Sequence, residues 1–175
     1  MSVEVDFAVS VTRAMHDAGM VAASAWPERL DLSEHHVMLD VGGGSGAHAL
    51  GALKAWPNLT AVVLDHESIC AVAREFAHES ECYDRISMRA ADFYNDPFPI
   101  ADLHFYGAIL RNSTSDRGEF LARKSFESLP SGGRIIVHEM LPVDEIAATL
   151  RRVGFSTIET IPTIGGWSIV TGRKA

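Results

Sequence analysis

Apolar residues near the start of the chain fall at Val3, Phe7, Val11, Ala14, Met15 and Ala18, the spacing of one helix face, and Gly19 interrupts the pattern. A second helical stretch, MVAASAWPERL, leads to a polar SEHH. From there the pattern is regular. Short apolar runs, VMLDV, AVVLD, ISMRAA, ADLHFYGAI and GRIIVHE, alternate with helical segments at Ala47 to Trp56, Ser68 to Glu79 and Ser115 to Leu129. Continuous apolar runs of that length, separated by helices, predict strands buried on both faces of a parallel sheet. A helix over Val143 to Val153, closed by Gly154, precedes two β-rich stretches, FSTIETIPT and GWSIVTGRK, with Gly165 and Gly166 between them. So short a connection forces an antiparallel pair, because a parallel return needs a crossover of roughly a dozen residues. The expected architecture is α/β: a doubly wound, mostly parallel sheet of seven strands ending in an antiparallel pair. Residues 1–36 are expected as lead-in helices and 37–175 as the core of one domain.

Composition narrows the class of partner. The 175 residues are 47% hydrophobic and 22% charged, which excludes a disordered or fibrous chain. Fifteen Lys and Arg against 23 Asp and Glu give a net charge of −8, a field that repels phosphate backbones and anionic membranes. No run approaches the roughly 20 apolar residues that span a bilayer. The start, MSVEVDFAVSVTRAMHD, is acidic and unlike a secretory leader, so a cytoplasmic location is expected. Cys70 and Cys82 lack a CxxC or zinc spacing and read as free thiols. His35, His36, His48, His66 and His78 have no spacing that builds a metal site.

Chemistry concentrates where the first apolar run ends, at Asp40-Val41-Gly42-Gly43-Gly44-Ser45-Gly46, directly before a helix. Glycines at a strand-to-helix turn permit positive φ and close ligand approach, and the helix N-terminus offers free N–H groups to an anionic group. The second run ends at Asp65, where a carboxylate can accept hydrogen bonds from ribose hydroxyls. The third leads to Asp92 and Phe93, a carboxylate for an adenine amino group and a ring for the base. Two cofactor classes fit. Gly42, Gly44 and Ala47 satisfy the dinucleotide pattern GxGxxA, with Asp65 on the ribose. Against it, Asp40 suits a cationic amino or sulfonium ligand better than a pyrophosphate, and the terminal antiparallel pair is foreign to a dehydrogenase sheet.

Asp40, Gly42, Gly44 and Gly46 match DxGxGxG, and the chain resembles the class I S-adenosylmethionine-dependent methyltransferases with their Rossmann-like fold. More narrowly, VMLDVGGGSGAHAL, AVVLDHES, RISMRAADFYNDPFPIADL and SLPSGGRIIVHEMLP resemble the catalytic domain of the plant and bacterial small-molecule O-methyltransferases of hydroxyindole and caffeate type. The resemblance runs from about Val37 to Pro142. It implies a glycine loop, Gly42 through Ser45 to Gly46 with Gly43, that holds the methionine moiety of S-adenosylmethionine. It further implies Asp65 beside His66 at the ribose, Asp92 with Phe93 at the adenine, and S-adenosylhomocysteine as product.

Three departures from that family shape the expectation. Of its N-terminal dimerisation domain only the connecting helix, VDFAVSVTRAMHDAG, is expected here, in a chain that is either minimal or a fragment. Its Leu-His-Asp-Trp pattern, whose His deprotonates the substrate hydroxyl, is replaced at Arg111-Asn112-Ser113. Arginine stays protonated and cannot act as a general base, so Arg111 is a candidate for holding a substrate anion, for pairing with a local acid, or for covering the surface. Thirdly, the family's insertion after Pro142 is missing, which predicts a more open pocket. His138 and Glu139 end the fifth run; strand alternation sends one of them to the site, and His138 is the candidate base. The leading expectation is an S-adenosylmethionine-dependent methyltransferase acting on a small-molecule oxygen. The alternative is a protein that binds the cofactor or its product without independent methyl transfer. A homodimer or a partner chain completing the site is expected, with the lead-in helix as its contact.

Overall fold

A computed structural model describes residues 3–110, 115–140 and 143–175. The five apolar runs form parallel strands β1 (Val37–Val41), β2 (Thr60–Asp65), β3 (Ile86–Ala90), β4 (Leu103–Gly107) and β5 (Arg134–Glu139). Two further strands, β6 (Ser156–Pro162) and β7 (Ser168–Arg173), complete a seven-stranded sheet of order β3-β2-β1-β4-β5-β7-β6. Only β7 runs antiparallel to both neighbours, joined to β6 by a turn in which Gly165 and Gly166 take positive φ. The mostly parallel sheet with its antiparallel end is the doubly wound fold expected from the run pattern.

Helices α1 (Val3–Ala14), α2 (His16–Ser24), α3 (Ala47–Ala55), α4 (Glu67–His78), α5 (Ser115–Ser128) and α6 (Val143–Val153) cover it. Side chains alternate across each strand, so the sheet buries two cores. Met38, Val63, Phe105 and Ile136 meet α2 and α3 on one face, where fully buried Trp26 stacks on Phe105 at 4.6 Å. Leu39, Leu64, Tyr106 and Val137 meet α5 and α6 on the other. Helix α4 shows why such segments fold as they do: Ile69, Cys70, Val72, Ala73 and Ala77 fall on one buried stripe. Helix α6 ends in a Schellman arrangement, with Gly154 at φ 120° and the Phe155 N–H donating to the Leu150 carbonyl at 3.0 Å.

One expectation is corrected. Gly19 does not end the first helix; the break falls at Met15, and α2 continues through Gly19. A Cβ on Gly19 would lie 3.1 Å from the Ala47 Cβ. The glycine therefore serves the close approach of α2 to the start of α3, a tertiary requirement that local spacing reads as a stop.

Gly51, in the middle of α3, marks the same helix crossing: a Cβ there would sit 2.6 Å from the Ala23 carbonyl oxygen. At a free helical site Gly→Ala stabilises by about 1 kcal/mol. Here Gly51→Ala is expected to destabilise by about 1–3 kcal/mol because the backbone of α2 must move. Urea midpoints for the two proteins check the sign.

Candidate functional site

Strand order places β4 beside β1, while the chain leaves β1 in the direction of β2, so a crevice opens at the carboxyl ends of β1 and β4. The glycine loop fills its floor. The Gly42 N–H donates to the Leu64 carbonyl at 2.8 Å, and Gly42, Gly44 and Gly46 adopt φ of 65°, 57° and 77°. A Cβ on Gly42 would lie 2.6 Å from Ile109 Cδ1, and one on Gly43 would lie 2.7 Å from the Asp40 carboxyl carbon. Packing as well as backbone conformation thus demands glycine here. Ser45 is buried under the loop, and Gly46 opens α3.

Asp40 is the anomaly of this floor. It is 1% exposed, and neither carboxylate oxygen has a hydrogen bond of good geometry. Burial pushes its pKa up to about 7, helped by the Asp65 charge and opposed by the nearby Ala49 N–H. Buried carboxylates are normally paired, so Asp40 is an acceptor that lacks its donor. Asp65, also buried and raised by burial, accepts from the Gly44 N–H at 3.0 Å and the His66 N–H at 2.8 Å. Each of its oxygens keeps a further lone pair. His66 is exposed and meets Asp65 through its backbone rather than its ring.

Asp92 caps the loop after β3. It accepts from the Tyr94 N–H at 2.9 Å and from Asn95 Nδ2 at 2.7 Å, and these bonds hold its carboxyl below the usual range. Phe93 reaches the glycine loop, with its ring edge 3.5 Å from the position a Cβ on Gly42 would take. Asp40, Asp65, Phe93 and the four glycines therefore share one crevice, with Asp92 at its rim. His138 lies on the α3 face of β5, wholly buried, its Nε2 2.9 Å from Thr163 Oγ1. Burial pulls its pKa down to about 4, so the ring is neutral. Glu139, the next residue, alternates to the face covered by α5 and α6. Arg111 lies outside the described residues.

The family of the O-methyltransferase domain matches the chain over residues 2–167. The chain belongs to that family. Acetylserotonin O-methyltransferase of Bos taurus is 33% identical over 111 residues, 63% of this chain and 32% of that protein. L-tyrosine C(3)-methyltransferase of Streptomyces lavendulae is 30% identical over 144 residues, 79% of this chain and 38% of that protein. Among solved structures, human N-acetylserotonin methyltransferase in complex with SAM superposes with TM-score 0.89 at 22% identity, over 98% of this chain and 56% of that one. An O-methyltransferase family 2 protein from Planctomyces limnophilus, complexed with apigenin, gives 0.91 at 21% identity, over 96% and 62%. The chain thus spans about a third of the length of these curated relatives, 32% and 38%.

In this O-methyltransferase domain the site draws on residues that spacing does not reveal. His16, at the start of α2, has Nδ1 2.9 Å from Ser45 Oγ and stacks on Phe76 at 3.6 Å, while Arg13 pairs with Glu75 at 2.6 Å. The lead-in helices are thereby laid across the glycine loop. Lys124 of α5 donates to the carbonyls of Phe93 at 2.7 Å and Asp96 at 2.6 Å, pinning the loop that carries Asp92. His35 and His36 flank Asp102 at the amino end of β1, remote from the crevice. Among the described residues no group of three His, Cys, Asp or Glu is arranged to hold a metal ion.

Because the Asp40 pKa rises to about 7 on folding, the folded chain binds the extra proton from about pH 4 upward, and stability falls as pH rises through that window. Asp40→Asn removes that loss. In the ligand-free protein, the variant's stability relative to the natural chain is expected to improve by about 1–3 kcal/mol between about pH 5 and about pH 8. Urea titrations at both pH values measure it; a pH-independent difference would refute the assignment.

Proposed function

We propose that this domain binds S-adenosylmethionine in the crevice of β1, β2 and β4 and methylates an oxygen of a small-molecule acceptor, releasing S-adenosylhomocysteine. The observation that carries this reading is the buried Asp40 carboxylate, without a hydrogen bond of good geometry under a glycine cradle. Such an acceptor fits a cationic amino group, and the N–H groups at the start of α3 fit the carboxylate of the same amino-acid moiety. Asp65 keeps lone pairs for two ribose hydroxyls, with His66 beside it. Asp92 and Phe93 take the adenine amino group and ring. When bound, the cofactor supplies a methyl group already activated by its sulfonium.

Activation of the electrophile leaves the protein two tasks, alignment and control of the acceptor's charge. Arg111 stands where the family's pattern carries its histidine, and a permanent cation there holds an ionised oxygen rather than accepting a proton. For an acceptor that arrives protonated His138 is the candidate base, since its neutral ring has a lone pair to offer. Relatives named for a naphthoate and for acetylserotonin support an aromatic hydroxyl as acceptor. The net charge of −8 argues against nucleic acid as acceptor. No described helix is long and apolar enough to cross a membrane. Two buried, unpaired cysteines, Cys70 and Cys82, support a reducing, cytoplasmic compartment. The organisation proposed is one cofactor-binding unit, lead-in helices over 1–36 on a core of 37–175. Phe7 and Met15, 71% and 62% exposed on the lead-in segment, support self-association as a homodimer.

Calorimetric titration with S-adenosylhomocysteine is expected to give micromolar binding, weakened by about tenfold or more in Asp65→Ala. No binding by the natural chain would overturn the reading. Arg111→Ala is expected to leave that affinity unchanged and to lower kcat/KM for phenolic acceptors by about tenfold. An unchanged rate would remove Arg111 from the mechanism.

A further inference from the structure

One polar cluster at the carboxyl edge of the sheet is not used by the cofactor crevice. His48 is the second residue of α3, directly after the glycine loop. Its Nδ1 lies 3.2 Å from Trp26 Nε1, and an indole N–H can only donate. The Nδ1 lone pair is therefore committed. Burial, with a contribution from His138, pulls the His48 pKa down to about 3, so the ring is neutral and carries its proton on Nε2. That nitrogen has no partner among the described residues.

The Nε2 edge of the ring lies against Gly107, the last residue of β4: a Cβ there would come within 2.7 Å of Cδ2 and 2.9 Å of Nε2. The next residue, Ala108, turns through a positive φ of 57°, and Ile109 then packs on Gly42 of the cofactor loop. The same three-residue segment thus touches both His48 and the glycine loop, and it leads on towards Arg111. On the other side stands His138, its ring centroid 5.4 Å from that of His48. His138 is wholly buried and its Nδ1 has no hydrogen-bond partner. Two neutral imidazoles, each with one unfilled nitrogen, therefore meet at the end of β4 and β5, beside the cofactor loop.

We propose that His48 holds the methyl acceptor, its Nε2–H donating to an ionised oxygen of a phenol or enol at the carboxyl end of β4. The inference rests on the methyl-transfer reading above and names its substrate class. A neutral N–H donor favours the anionic form of the oxygen without taking its proton, which passes to solvent before binding. His48 is thus a binding and charge-selecting residue and not a base, and Trp26 is a positioning residue acting through it. Chemistry of this kind selects acidic phenols over aliphatic alcohols.

The test uses 4-nitrophenol, whose ionised form is coloured, titrated into the full chain with and without S-adenosylhomocysteine. The natural protein is expected to lower the apparent pKa of the bound probe by about one unit, an approximately tenfold preference for the phenolate. H48A should abolish that preference, and H48Q, which keeps an N–H donor, should retain it. Trp26→Phe should weaken it while nitrogen NMR shows the His48 proton shared between both ring atoms. S-adenosylhomocysteine affinity should stay within about twofold in all three variants, which also reports that they fold. Product binding without any probe preference, or a preference that survives H48A, overturns this inference and spares the cofactor reading. Probe preference that depends on His48, in a chain that binds no S-adenosylhomocysteine, upholds the phenolate site and overturns methyl transfer. Failure of both titrations overturns both.

Discussion

Everything at this site depends on the parallel pairing of β1 with β2 on one side and β4 on the other. Parallel neighbours start at the same edge, so all their carboxyl ends reach one rim together. The chain must leave β1 through a turn tight enough to let Ile109, arriving from β4, rest against it. That demand selects glycine at position 42, and the buried strand that delivers the turn also delivers Asp40 into a dry environment. The crevice is in this sense a by-product of how two strands with different exits share a border.

The same dryness explains the electrostatics. Asp40 leaves both carboxylate oxygens and His138 its Nδ1 unpartnered, a cost of about 1–3 kcal/mol per group in an ordinary core. Native structures tolerate few such groups, and these two lie at the same rim, with His48 between the cofactor loop and His138. The domain is therefore less stable than its packing alone permits.

Much of this was legible in the sequence. The central strands β1, β2, β4 and β5 could be read because residues buried on both faces form nearly unbroken apolar runs, whereas β3 is an edge strand with no fully buried residue; the antiparallel end could be read because the Gly165-Gly166 turn is too short for a crossover. Asp40, the glycines, Asp65 and Phe93 were legible as a crevice since each sits where a run ends. Gly19 misled, because a helix-breaking residue and a helix-contact residue look alike until Ala47 is known to lie across from it. His48 and His16 were invisible for a related reason. Their meaning depends on Trp26 and Gly107, or on Ser45 and Phe76, partners that only the tertiary fold brings within reach.

Two of the chain's three tryptophans border the histidine pair: Trp26 bonds to His48, and Trp167 packs on His138 with centroids 4.9 Å apart. The third, Trp56, sits at the far end of α3, donating to the Pro27 carbonyl. Indole emission responds to the charge and polarity of its contacts, so Trp26 and Trp167 make the fold an optical gauge of the histidine pair. The hydration and ionisation of the crevice are thereby written into the protein's own fluorescence, without any label.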